Sequence, residues 1–132
     1  MLRYMLDTNV CIRVLRDKTP ALRQRFSEEA GGLCISAITL TELLHGAERS
    51  ARPPHNRALV ENFASRLDVL AFDAEAAAHA GEIRAYLERA GQMIGPYDLL
   101  IAAHGRCHGL VVVTSNLGEF NRVPGLRVEN WF

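Results

Sequence analysis

Apolar positions along the chain fall into two alternating patterns. Short unbroken runs at Leu2–Leu6, Leu33–Ser36, Val69–Phe72 and Leu110–Thr114, with a weaker Arg127–Asn130, have the length and β-branched content of strands. Leu110-Val-Val-Val-Thr114 has no polar interruption, and such runs read as parallel strands covered on both faces. Between them, helical stretches are predicted over Thr8–Arg16, Ala21–Ala30, Thr39–Ser50, Asn56–Leu67, Ala74–Ala90 and Pro96–Cys107. Gly31-Gly32, Pro53-Pro54, Gly91 and Gly109 punctuate them, and Arg52-Pro53-Pro54-His55 reads as an exposed connection between two helices. The order β-α-α-β-α-α-β-α-α-β, closed by a fifth strand, predicts an α/β fold of three layers. Its centre is a mostly parallel sheet of four to five strands flanked by helices. With 132 residues and no internal repeat, low-complexity tract or linker, residues 1–132 read as one domain.

Composition narrows the class. A hydrophobic fraction of 48% and a charged fraction of 23% are those of a soluble globular chain. No apolar run approaches the roughly 20 residues that span a bilayer. The N-terminus has no basic start followed by an apolar segment and a small-residue cleavage site, so a cytoplasmic location without membrane attachment is expected. Cys11, Cys34 and Cys107 are odd in number, widely spaced and free of any CxxC pairing, which argues for buried thiols rather than a disulfide or zinc framework. Fifteen basic residues balance fifteen acidic ones, so no overall positive field announces nucleic acid. Acids gathered in one place would leave the remaining surface basic, however. Lys18 is the sole lysine, and the other cations are arginines, which suit bidentate phosphate contacts; a GC-rich coding sequence produces the same bias.

Four acids follow or approach strand ends. Asp7 closes the first strand, Glu42 lies just past the second, Asp98 opens the helix before the fourth and Glu119 lies just past the fourth. Open α/β sheets bind ligands outside the carboxyl ends of their strands, and chain order puts Asp7, Glu42 and Glu119 there. Asp98 is expected at the opposite edge, because its helix runs back into strand four. Bringing it to the others requires the long helix Ala74–Ala90 and the loop Gly91–Gly95. Each acid also has a local structural use. Asp7 can cap the next helix; Thr39–Glu42 and Asn116–Glu119 have capping-box form; and Asp98 sits in a first turn opened by Pro96, where the helix dipole favours an acid. Capping does not explain why acids recur after the strands among Thr8, Asn9, Ser36, Thr114 and Asn116 rather than among basic partners. Carboxylates so grouped repel one another unless a cation neutralises them. Hard oxygen donors select Mg²⁺ or Mn²⁺, and such a metal activates water and stabilises charge on a phosphoryl oxygen, the chemistry of nucleases.

Other constellations fit less well. Aspartyl phosphotransfer of the dehalogenase type places a second Asp where Asn9 stands, and receiver domains need a late lysine. Glu42-Leu-Leu-His45 is half of a carboxylate di-iron motif without its second half, since Glu75 and His79 are four residues apart. His104 lies about 240° around its helix from Asp98 and faces away, His108 reads as a C-terminal cap, and His55 and His79 have no evident partner. No Ser-His-Asp set, Walker loop or GxGxxG occurs, which argues against a nucleotide cofactor.

Taken together, strand-Asp7-Thr8-Asn9, Ile35-Ser-Ala-Ile-Thr39-Leu-Thr-Glu42-Leu43, Ile94-Gly-Pro-Tyr-Asp98-Leu-Leu-Ile-Ala-Ala-His104 and Val113-Thr114-Ser-Asn116-Leu-Gly-Glu119-Phe120 resemble the successive motifs of PIN-domain ribonucleases. The resemblance is nearest to the VapC toxins of bacterial type II toxin–antitoxin modules. It covers the whole chain, including Gly81-Glu-Ile-Arg84 and the closing Val128-Glu-Asn-Trp131. It implies a Mg²⁺-dependent endoribonuclease in which Asp7, Glu42 and Asp98 bind metal and Asp98 does meet the other acids. Many PIN domains carry a fourth Asp where this chain has Asn116; Glu119, one turn later, is the expected replacement, and the number of metals stays open. Thr8, Asn9, Thr114 and Asn116 would support the carboxylates or contact phosphate. The implied substrate is structured RNA, a tRNA anticodon loop before a ribosomal RNA loop. Arg13, Arg16, Arg49, Arg52 and Arg84 are candidates for phosphate contact. The implied partner is a VapB-like antitoxin lying across the early helices and inserting a residue near the carboxylates, and a homodimer is expected. Apolar positions such as Val10, Ile12, Val14, Leu15, Leu43, Leu44 and Phe63 could serve the core or that groove. The alternatives are a non-catalytic PIN-like RNA-binding module, motivated by Asn116, and cleavage of DNA by the same chemistry.

Overall fold

Residues 1–16 and 19–132 are described by the computed structural model. In chain order the elements are β1 (Tyr4–Leu6), α1 (Thr8–Arg16), α2 (Pro20–Glu28), β2 (Leu33–Ser36), α3 (Ala37–Glu48), α4 (Pro53–Ala64), β3 (Asp68–Leu70), α5 (Ala74–Ala90), α6 (Pro96–Cys107), β4 (Val111–Val113), α7 (Leu117–Phe120) and β5 (Arg127–Glu129). The strands form one parallel sheet in the order β3-β2-β1-β4-β5. The chain thus moves outward from β1 to β3, then crosses back over β1 to lay down β4 and β5. That reversal falls between β1 and β4, whose residues pair Tyr4 with Val111, Met5 with Val112 and Leu6 with Val113. A crevice opens at the carboxyl ends of strands where the order reverses, and this one lies directly below Asp7.

Both faces of the sheet are covered. Alternation along β1 sends Tyr4 and Leu6 to one side and Met5 to the other. Tyr4 and Leu6 pack with Val10 and Cys11 of α1, Leu43 and Ala47 of α3, and Val60 and Phe63 of α4. Met5 packs with Ala80, Ile83 and Leu87 of α5, Leu99, Ile101 and Ala102 of α6, and Phe120. Gly105 allows α6 to approach the sheet closely: a Cβ there would stand 2.5 Å from Cγ2 of Val112.

The structure corrects several sequence expectations. α6 starts at the carboxyl edge, not the opposite one. It joins β4 through a tight turn in which Leu110 N–H donates to Gly105 O at 2.9 Å, so helix and strand run antiparallel; a helix that ends at the amino edge must begin at the carboxyl edge. α5 forms an antiparallel hairpin with α6, and Arg106 near the end of α6 donates to His79 and Glu82 in the first half of α5. α3 begins at Ala37 because Ser36 Oγ caps it, accepting from Ile38 N–H at 3.0 Å. The Thr39–Glu42 capping box therefore does not form. Pro53 and Pro54 are the first turn of α4 rather than a connection, a position where the missing N–H costs nothing. β3 ends at Leu70, and Val69 is 38% exposed, because an edge strand has a neighbour on one side only.

Candidate active site

Four carboxylates converge at the crevice, each carried by a different element. Asp7 follows β1 and is 1% exposed. Its Oδ1 accepts from Thr8 N–H at 2.7 Å, and its Oδ2 accepts from the Thr114 hydroxyl at 2.8 Å. Burial pushes the Asp7 carboxyl above its ordinary range; these two hydrogen bonds oppose the rise, and the charges of Glu42 and Glu119 add to it. Glu42 lies on the second turn of α3, where Oε1 accepts from the Thr8 hydroxyl at 2.6 Å. Thr8 Oγ1 is also 3.2 Å from Thr39 Oγ1, a buried hydroxyl whose sequence position suggested only a helix start.

Asp98, in the first turn of α6, is hydrogen-bonded to Glu119. Burial first, then that bond and the charges of Asp7, Glu119 and Glu42, push Asp98 up to about 8. Glu119 moves down, because it accepts from Asp98, from Gly95 N–H at 3.3 Å and from Asn116 Nδ2 at 2.9 Å. The two carboxyls thus stand close enough to share a proton, with Asp98 the one pushed toward holding it. Gly95 keeps this pair free of side-chain crowding, since a Cβ there would lie 3.3 Å from Asp98 Oδ2. The Asn116–Glu119 capping box does not form either: Asn116 N–H donates to Thr114 Oγ1 at 2.9 Å, and its amide holds Glu119. Thr114 in turn links that turn to Asp7.

Every predicted acid is therefore in the cluster, with Thr8, Thr114 and Asn116 bonded to three of the four. Asn9 is exposed at the rim, where it lines a groove of about 730 Å³. That groove runs between α1, α3 and α4 and is lined also by Thr8, Ile12, Leu15, Arg16, Glu42, Leu43, His45, Arg49, Asn56, Leu59 and Tyr97. Val10 and Phe63 belong to the core instead. Of the candidate cations, Arg16 and Arg49 line the groove. Arg13 lies over the Phe132 ring at 4.4 Å, and Arg84 pairs with Glu88 at 3.6 Å.

Sequence reasoning missed a brace beneath the site. His104 is fully buried with Nδ1 2.8 Å from Ser36 Oγ. Ser36 Oγ also accepts from Ile38 N–H, so this one hydroxyl ties α6 to the start of α3. Burial lowers the His104 pKa, with the neighbouring His108 adding to the effect. The only signal in the sequence was a His on the face of α6 away from Asp98. His79, which had no evident partner, accepts from Arg106 Nε at 3.0 Å.

The donor set fits a hard divalent cation. Four carboxylates share one crevice, none of them enters a salt bridge among the described residues, and two are pushed toward protonation. Among the described residues no three side chains close into a finished ligand cage. Oxygen donors of this kind are those that Mg²⁺ takes, with its own waters completing the shell. No helix among the described residues is long and apolar enough to cross a membrane.

Comparison with known proteins agrees with this geometry. The PIN domain model matches residues 4–126. A Shigella flexneri protein described as tRNA(fMet)-specific endonuclease VapC is 52% identical over 131 residues, 99% of each chain. Ribonuclease VapC2 of Haemophilus influenzae is 48% identical, again over 99% of each. Among solved structures, DNA-bound VapBC from Salmonella typhimurium superposes with a TM-score of 0.97 at 53% identity, covering 100% of both chains. The chain belongs to the PIN-domain family, in its VapC branch.

Proposed function

We propose that the protein is the toxin of a type II toxin–antitoxin module. In this reading it is a divalent-metal-dependent endoribonuclease, acting as a single PIN domain, that cuts tRNA and is held in check by a VapB-like antitoxin. The observation that carries the reading is the meeting of Asp7, Glu42, Asp98 and Glu119 at the β1–β4 switch point, in a chain about half identical to relatives described as tRNA(fMet)-specific endonucleases. The anticodon loop of initiator tRNA is the proposed target, since a single-stranded loop can splay its backbone into such a crevice. The solved VapBC structure from Salmonella typhimurium supports the antitoxin.

Asp7, Glu42 and Asp98 would hold Mg²⁺ or Mn²⁺. A bound divalent cation supplies an activated water and neutralises charge on the scissile phosphate. Thr114 and Thr8 use their hydroxyls to fix one oxygen each of Asp7 and Glu42, which leaves the remaining lone pairs for the crevice. Binding the cation would take the proton from Asp98, leaving Glu119 as the carboxyl of the pair that can hold or move a proton beside it. Asn116 and Gly95 orient Glu119 for that exchange. Glu119 stands in the cluster although Asn116 replaces the acid usual at that position, which argues against a merely RNA-binding module.

Expression of the chain should arrest bacterial growth, and co-expression of its antitoxin or the change Asp98→Asn should restore it. Purified protein should cleave tRNA and leave DNA intact. Growth arrest by Asp98→Asn equal to wild type would remove this reading. Self-association into a homodimer belongs to the same proposal and is checked by sedimentation.

A further inference from the structure

Tyr97 is an aromatic ring left bare beside the carboxylates. It is 51% exposed, precedes Asp98 in the first turn of α6, and has no hydrogen bond or ring contact among the described residues. Tyr4, by contrast, is 4% exposed and packs edge-on against Trp131 at 5.1 Å. Tyr97 also lines the groove that Thr8, Asn9 and Glu42 line. α1 carries that groove from Thr8 and Asn9 to Leu15 and Arg16, about 10 Å away. Tyr97 is thus at the carboxylate end. Thr8, Asn9, Thr41, Glu42 and His45, which line the groove with it, are polar, while Ile12, Leu15, Leu43, Leu59 and Val60 form its apolar lining. A docked protein helix would use that apolar lining rather than the polar side chains. A single-stranded nucleotide needs a flat ring to stack on, amide or imidazole groups for its base edges, and a cation for the next phosphate. Tyr97, Asn9, His45, Arg16 and Arg49 bring these groups together in one groove.

We propose that the Tyr97 ring is the stacking platform for the base flanking the scissile phosphate, so that the mouth of the groove seats one unpaired nucleotide. This rests on the ribonuclease reading above and adds how the strand is held. Stacking accepts any base, so Tyr97 contributes affinity and alignment, and sequence choice lies elsewhere.

The test compares Tyr97→Ala, Tyr97→Leu, Tyr97→Phe and Tyr97→Trp in the full chain. A tRNA substrate reads catalysis, and a single-stranded oligoribonucleotide reads binding in an Asp7→Asn background. Tyr97→Ala and Tyr97→Leu should weaken oligonucleotide binding and raise KM by roughly 5- to 100-fold, while Phe and Trp retain wild-type values. Fluorescence of the introduced tryptophan in Tyr97→Trp should be quenched by the oligonucleotide. Equal binding by the alanine, leucine and wild-type forms overturns the proposal. So does a Tyr97→Ala protein that cleaves normally but no longer binds antitoxin, which would make the ring a protein contact. Wild type that binds the oligonucleotide through Tyr97 yet cleaves no RNA would overturn the nuclease reading and leave the stacking platform standing.

Discussion

Replacing Asp98 by Asn should stabilise the protein in metal-free buffer while destroying its chemistry. In the native chain Asp98 holds a proton up to about pH 8 against an ordinary 3.8, and shares it with Glu119. The sign follows from linkage. Stability is full below the unfolded value near 3.8 and is lost as pH rises toward 8, because the unfolded chain releases the proton more readily than the folded one. At face value the loss at pH 8 is about 5 kcal/mol. Asp98 is half-buried, and solvent screening reduces this to about 1–2 kcal/mol. The asparagine amide would donate the same hydrogen bond from Nδ2 without titrating. In EDTA at pH 8, Asp98→Asn should therefore unfold later by about 1–2 kcal/mol, roughly 4–8 °C by calorimetry, and the gap should close near pH 4. Saturating Mg²⁺ at about 100 times Kd adds about 2.7 kcal/mol to the wild type and should reverse the order. A gap that is independent of pH, or an Asp98→Asn protein that is less stable than wild type in EDTA at pH 8, would refute the shared proton.

Gly105→Ala should destabilise the fold by about 1–3 kcal/mol in urea titration, although Ala favours helices, because its Cβ would meet Val112 Cγ2 at 2.5 Å. Adding Val112→Ala should recover part of the loss. Thr114→Val removes the hydroxyl that donates to buried Asp7 and accepts from Asn116 N–H; it should cost about 1–3 kcal/mol and lower kcat more than it raises KM. Ser36→Ala removes both the cap of α3 and the His104 contact, and chemical denaturation should register about 1–2 kcal/mol.

The alternation of apolar runs and helical stretches was enough to read the parallel sheet, and four helix or strand spans, Thr8–Arg16, Leu33–Ser36, Ala74–Ala90 and Pro96–Cys107, coincide with those observed. Boundaries failed where a cap decided them. Ser36 ends β2 and starts α3 at once, and Pro53 could signal either a loop or a first turn. α7 is too short for periodicity to reveal. The grouping of Asp7, Glu42 and Glu119 follows from chain order. Asp98 was misplaced although its helix was correctly read as running back into β4: a helix that ends at the amino end of a strand starts at the carboxyl edge, not the opposite one. Hydroxyl partners such as Thr39, and the buried His104–Ser36 brace, depend on helix–helix crossing, which no local pattern encodes.

Cleavage of initiator tRNA by purified wild-type and Asp7→Asn protein, with Mg²⁺ and with EDTA, bears most directly on the carboxylate site. Wild type with Mg²⁺ should make a single cut in the anticodon loop, while Asp7→Asn, folded by circular dichroism, and wild type in EDTA should make none. Undiminished cutting by Asp7→Asn, or by wild type in EDTA, would contradict it.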